Sequence, residues 1–116
     1  MPMRCVIVDD SQDFLSSARR LLDSQGVEVV GMATSSSEAI PLVRELEPDI
    51  ALIDVDLGDE DGIALAREVK RVAPDMRTIL ISAHALDDLD LTEAGADVFF
   101  LHKAELGADK IAGLLR

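Results

Sequence analysis

The sequence predicts an α/β fold: a doubly wound sheet of five parallel strands in the spatial order 2-1-3-4-5, with helices on both faces. Three observations predict it. Five short apolar runs recur along the chain, each about strand length. Between them lie stretches whose apolar residues repeat at helical spacing. The runs are also nearly continuous in apolar character, which suits strands covered on both faces. Alternation of this kind implies right-handed crossovers and therefore a parallel sheet.

The first strand is expected at Arg4–Val8. On the helix after it, Phe14, Leu15, Ala18, Leu21, Leu22 and Gln25 share one side, and Gly26 offers a C-cap. The second strand, Val27–Met32, leads to a helix over Ser37–Glu47. Ser35, Ser36 or Ser37 caps that helix, Pro48 ends it, and Pro41 near its first turn bends the entry. The third strand, Ile50–Asp54, precedes a helix over Gly62–Val72 that Pro74 stops. The fourth, Thr78–Ser82, precedes a short helix over Leu86–Ala94 ended by Gly95. The fifth, Val98–His102, precedes a helix over Glu105–Leu115. Leu106, Ile111, Leu114 and Leu115 form its inner face, and Gly107 and Gly113 weaken it. There is no internal repeat, linker or low-complexity segment.

At 116 residues the chain is expected to form a single domain, 1–116, with a real hydrophobic core. A hydrophobic content of 48% argues against disorder. The single cysteine, Cys5, sits inside an apolar run and reads as a buried thiol in a reduced, cytoplasmic setting. No apolar stretch approaches the roughly 20 residues that span a bilayer, and the N-terminus lacks a signal-peptide layout. A net charge of −12 would repel nucleic acid and anionic lipid. Direct DNA binding by these residues is therefore not expected, whereas a cation or a basic partner is.

In open α/β sheets ligands sit outside the carboxyl ends of the strands. The first strand ends in Asp9-Asp10, the third in Asp54, the fourth in Ser82 and the fifth in His102-Lys103. The second, ending in Gly31-Met32-Ala33, offers nothing chemical. In the order 2-1-3-4-5 the first and third strands are neighbours, which gathers Asp9, Asp10 and Asp54, with Ser82 and Lys103 on the next two strands. Two unit charges ~5 Å apart repel by roughly 3 kcal/mol at an effective dielectric near 20. A hard divalent cation relieves this, and Mg2+ prefers oxygen ligands and commonly bridges carboxylates to phosphate. Lys103 supplies a positive charge for a phosphoryl oxygen, Ser82 a hydroxyl donor, and Asp54 a nucleophile of the aspartyl-phosphate kind.

At these residues the sequence resembles, over essentially its whole length, the receiver domains of two-component response regulators. Cys5-Val6-Ile7-Val8-Asp9-Asp10 is similar to the family's opening strand and acid pair. Pro48-Asp49-Ile50-Ala51-Leu52-Ile53-Asp54 is similar to its phosphoacceptor strand, and Ile79-Leu80-Ile81-Ser82-Ala83-His84 to its switch strand. Ala94-Gly95-Ala96-Asp97 and Phe100-Leu101-His102-Lys103-Ala104-Glu105-Leu106 are similar to its closing segment, most closely in receivers of LuxR/NarL-type regulators. The resemblance implies a flavodoxin-like (βα)5 fold. It implies a domain that is not an enzyme in its own right but assists its own phosphorylation, by a sensor histidine kinase, and its own dephosphorylation. Asp54 would be the phosphoacceptor. Asp10 and Asp54 would hold Mg2+ through their side chains, Asp56 through its backbone carbonyl and Asp9 through a water. Lys103 would pair with the phosphoryl group, and Ser82 and Phe100 would form the switch. Asp56 and His84 would flank the site and tune phosphoryl-group lifetime. Homodimerisation and a helix-turn-helix DNA-binding output domain beyond this chain, controlling transcription, belong to the same resemblance.

Three departures stand out. Ala104 follows Lys103 where many members carry proline, so a cis bond there loses its usual basis. The segment between Ser82 and Ala94 is about two residues short. One residue is added before Phe100, which makes Phe99 a rival for the switch position. An interaction module of the same fold that works without phosphorylation is the alternative, and the presence of every expected site residue argues against it. Asp54-Val55-Asp56 also resembles the acid pair of haloacid-dehalogenase-type phosphatases, but that motif belongs after a first strand in a much larger chain.

Overall fold

The structure, a computed structural model, describes residues 2–83 and 98–115. In chain order its strands are β1 (Arg4–Val8), β2 (Glu28–Ala33), β3 (Ile50–Asp54), β4 (Asp56–Leu57), β5 (Glu60–Asp61), β6 (Arg77–Ser82) and β7 (Val98–His102). Five of them form one sheet in the order β2-β1-β3-β6-β7, with every neighbouring pair parallel. Numbered within the sheet, this is the expected 2-1-3-4-5 order of a flavodoxin-like α/β fold. The two-residue β4 and β5 pair antiparallel as a small ribbon after β3.

Burial on both faces explains why the strands read as unbroken apolar runs. Successive strand side chains point to opposite faces. Cys5, Ile7, Ile50, Leu52, Ile79 and Ile81 pack with α1 (Gln12–Ser24) and α4 (Ala108–Leu114). Val6, Val8, Ala51, Ile53 and Leu80 pack with α2 (Ser36–Leu46) and α3 (Gly62–Val72). Burying one such Val, Leu or Ile is worth about 1.5–3 kcal/mol. Cys5 is a packed member of this core. Burial pushes its thiol up to about 12, which leaves it without nucleophilic character at neutral pH.

Short polar side chains start the helices. Ser11 Oγ accepts from Phe14 N at α1, Ser35 Oγ from Glu38 N at α2, and Asp61 Oδ1 from Ile63 N at α3. Glu38 also accepts from Thr34 N (2.7 Å), the amide just before the cap, which fixes the chain entering the helix. At the other end of α2, Glu47 adopts φ 47°, ψ 58° and closes the helix just before Pro48.

Several boundaries differ from the sequence expectation. α2 starts at Ser36, so Pro41 falls in its second turn rather than its first. The last helix is split. A 3-10 turn covers Lys103–Glu105, and α4 proper begins only at Ala108. His102 Nδ1 accepts from Ala104 N (3.1 Å) and tightens that turn. Gly107 has no side chain to cap α4, and Gln25 Oε1, at the end of α1, accepts from Ala108 N (2.7 Å) instead. The Lys103–Ala104 bond is trans. The helix expected over Leu86–Ala94 lies outside the described residues. No helix among the described residues is long and apolar enough to cross a membrane.

Candidate functional site

Parallel register decides which strand tips meet. Val8 pairs with Ile53, so Asp9 comes beside Asp54 at the next step. Asp54 pairs with Ile81, which puts Ser82 one position beyond. Ser82 pairs with His102, which puts Lys103 one position beyond again. A main-chain bond from Asp9 N to Ala33 O (3.0 Å) ties in the tip of β2.

Asp9 is fully buried, and its Oδ1 accepts from Ser11 N (2.9 Å). Asp54 is 6% exposed; its Oδ1 accepts from Asp56 N (3.1 Å) and its Oδ2 from Lys103 Nζ (3.0 Å). The same ammonium lies 2.6 Å from Asp9 Oδ2 but off the hydrogen-bond direction, so that buried oxygen has a charge partner and, among the described residues, no hydrogen bond. Asp10 is exposed, and one oxygen from each of Asp9, Asp10 and Asp54 falls within 4.8 Å of the others.

Three carboxylates therefore face one ammonium. Burial raises the Asp54 carboxyl above its ordinary value and the charge on Asp9 adds to this, while the Asp56 amide and Lys103 pull it back down. Burial alone would lower the Lys103 ammonium. Its close contacts with the Asp9 and Asp54 carboxylates outweigh that and hold it above its ordinary value.

Two glycines let the β3–α3 connection close over the acids. Gly58 turns the ribbon at φ 72°, and a Cβ there would lie 3.1 Å from Asp10 Oδ2. Gly62 opens α3 directly against Asp54. A Cβ on it would sit 1.8 Å from the Asp54 carbonyl oxygen, so no other residue fits there, and its N–H donates to Val55 O (2.9 Å). On the ribbon's outer strand the Glu60 carboxylate accepts from both the N–H (2.9 Å) and the hydroxyl of Ser36, the first residue of α2. Those bonds, the hydroxyl's first, hold Glu60 below the usual carboxylate range.

The structure thus brings together Asp9, Asp10, Asp54 and Lys103. Asp56 flanks them through its backbone amide, with its side chain exposed and accepting from Gly58 N (3.3 Å). Ser82 is 2% exposed at the tip of β6. Strand alternation puts Ser82 on the same sheet face as Leu80. Phe100 packs with that face, whereas Phe99 packs on the opposite one with α1 and α4. His84 lies outside the described residues. Sequence reasoning placed Phe14 only on the apolar side of the first helix; its ring centroid lies 4.2 Å from Lys103 Nζ, a cation–π contact. Glu60 carried no signal in isolation, and Gly62 and Ser36 were legible only as helix starts, because their roles here depend on partners brought close by folding.

A match to the response regulator receiver domain family covers residues 5–111. The chain belongs to that family. Among its relatives, the receiver is 34% identical over 103 residues to a protein-glutamate methylesterase/protein-glutamine glutaminase of Alkalilimnicola ehrlichii. The match covers 85% of this chain and 26% of that protein. The receiver is also 30% identical to the chemotaxis protein CheY of Thermotoga maritima, with 87% of this chain and 86% of that one covered. Among solved structures, a LuxR-family two-component response regulator from Aurantimonas superposes with a TM-score of 0.83 at 30% identity. It covers 99% of this chain and 86% of its own. The receiver thus spans about a quarter of the first relative's length and most of the other two.

As a receiver, the domain is a phosphoacceptor of two-component signalling, a role in which receivers work with histidine kinases. Its acidic pocket also suits a divalent cation. The ligand set of Asp9, Asp10 and Asp54 is all oxygen, as hard cations prefer, and Asp9 Oδ2 is a buried oxygen without a hydrogen bond among the described residues.

Proposed function

We propose that this receiver takes a phosphoryl group from a histidine kinase onto Asp54, with Mg2+, and that the modification shifts a surface controlling an output. The observation that carries the reading is the position of the Asp54 carboxylate, where the acid cluster meets Lys103. An Asp54 oxygen forms the bond to phosphorus as the donor's P–N bond breaks. The donor imidazole keeps the bonding pair and takes up a proton. Asp54 is shielded from water, and the Asp56 amide and Lys103 orient its two oxygens. Lys103 then follows a phosphoryl oxygen.

Asp10 and Asp54 would hold Mg2+ through their side chains, Asp56 through its carbonyl and Asp9 through a water. When bound, the ion supplies charge neutralisation for the transferring group. Ser82 and Phe100, which share a sheet face, would carry the change outward as a shift between two pre-existing states. By likeness to the LuxR-family receiver, the output would be transcription, through a helix-turn-helix domain beyond this chain and with the receiver as a homodimer.

Intact-mass analysis after exposure to acetyl phosphate and Mg2+ tests the reading. Wild type should gain one phosphoryl group. Asp54→Asn, or wild type in EDTA, should gain none. Equal labelling of Asp54→Asn at another residue would sink it.

A further inference from the structure

The pocket is enclosed by a circuit of contacts, and one of them rests on a side chain outside the acid cluster. Asp9 N bonds Ala33 O on the β2 side. Asp9 meets Lys103, Lys103 meets Asp54, and Asp54 accepts from Asp56 N. The circuit's polar contacts return to the β2 side through Glu60, whose two oxygens seat on Ser36 at the start of α2. The ribbon that carries Asp56 is otherwise pinned by the buried Leu57 and by the Asp61 cap of α3. Leu57 lies in the core cluster shared by α2 and α3, and the Asp61 cap holds the α3 side. Among the described residues, Glu60 supplies the ribbon's side-chain hydrogen bonds to α2. The turn between these anchors is Gly58, the residue lying against Asp10.

We propose that Glu60 is a positioning residue for the cation site: its two-pronged seat on Ser36 holds the Asp56–Gly58 segment against Asp10 and thereby sets the affinity for Mg2+. This rests on the reading of the pocket as a Mg2+ site. Glu60 bonds only to Ser36 in the described contacts, so its effect passes through the ribbon.

Long-range charge is the competing cause, since any lost carboxylate weakens cation binding. Ser36→Pro separates the two. It removes both donors and leaves every charge in place. Ser36 is the first helical residue, where proline is tolerated, and Ser35 before it is extended (φ −152°, ψ 166°), as a residue preceding proline should be.

Magnesium titrations of the whole chain, followed by NMR amide shifts near Asp54, supply the test. The chain has no Trp or Tyr for a fluorescence readout. Glu60→Ala and Ser36→Pro should each weaken binding roughly fivefold, the size expected for losing a charge-assisted hydrogen-bonded pair at the surface. The double variant should be no weaker than either single one, and Glu60→Gln should recover part of the loss. Amide spectra without metal confirm that each variant is folded. Unchanged affinity in Ser36→Pro, with wild-type binding intact, would overturn the latch and leave the function standing. A wild type indifferent to magnesium would overturn the functional reading, and this inference with it.

Discussion

Asp54 is held in the folded protein at a cost. Its carboxyl is raised above the ordinary 3.8, chiefly by burial. A raised acid adds stability that is full below its ordinary value and lost as pH climbs through the native one. At neutral pH without metal the ionised group is therefore a burden. Asp54→Asn should stabilise the metal-free domain by on the order of 1 kcal/mol at pH 7, and the gain should vanish toward pH 4. Urea unfolding in EDTA at the two pH values measures this. A second residue-scale cost sits on β6. Thr78 is fully buried, and its hydroxyl has no hydrogen-bond partner among the described residues. Thr78→Val keeps the branched shape and removes the orphan, and should raise stability by about 1 kcal/mol in the same assay.

At the scale of elements, the strands were readable because covering both faces leaves an unbroken apolar run. The boundaries of β1, β3 and β7 coincide with those runs. Asp9, Asp10, Asp54 and Lys103 could be gathered in advance for the same reason: each lies at or just past a strand tip, and strand order fixes which tips adjoin. The last helix was misjudged because its start is set by groups the local sequence does not advertise. The ring of His102 tightens the 3-10 turn, and the amide of Gln25 caps α4 from another helix. Gln25→Ala should cost about 1 kcal/mol, as losing a cap does. Hydrogen exchange should show faster amides at the start of α4 while α1 keeps its protection. The contact of Phe14 with Lys103 and that of Glu60 with Ser36 were hidden likewise, because neither partner signals the other.

The whole molecule carries a net charge of −12, with 23 acidic residues against 11 basic ones. Self-repulsion of this size weakens the compact state, and added salt screens it. Sodium chloride should therefore raise the melting temperature of wild type. Magnesium at matched ionic strength should raise it further, by the equivalent of about 1.4 kcal/mol at tenfold excess over its dissociation constant. Calorimetry separates the two effects, and only the magnesium increment should disappear in Asp54→Asn.

The bare hydrogen of Gly62 has a mechanical consequence. Nothing larger would fit between the first turn of α3 and the Asp54 carbonyl, so that helix and the acceptor's main chain move as one rigid piece. A chemical event at Asp54 would find no slack in that direction. Any shift of that main chain would have to carry the start of α3 along with it.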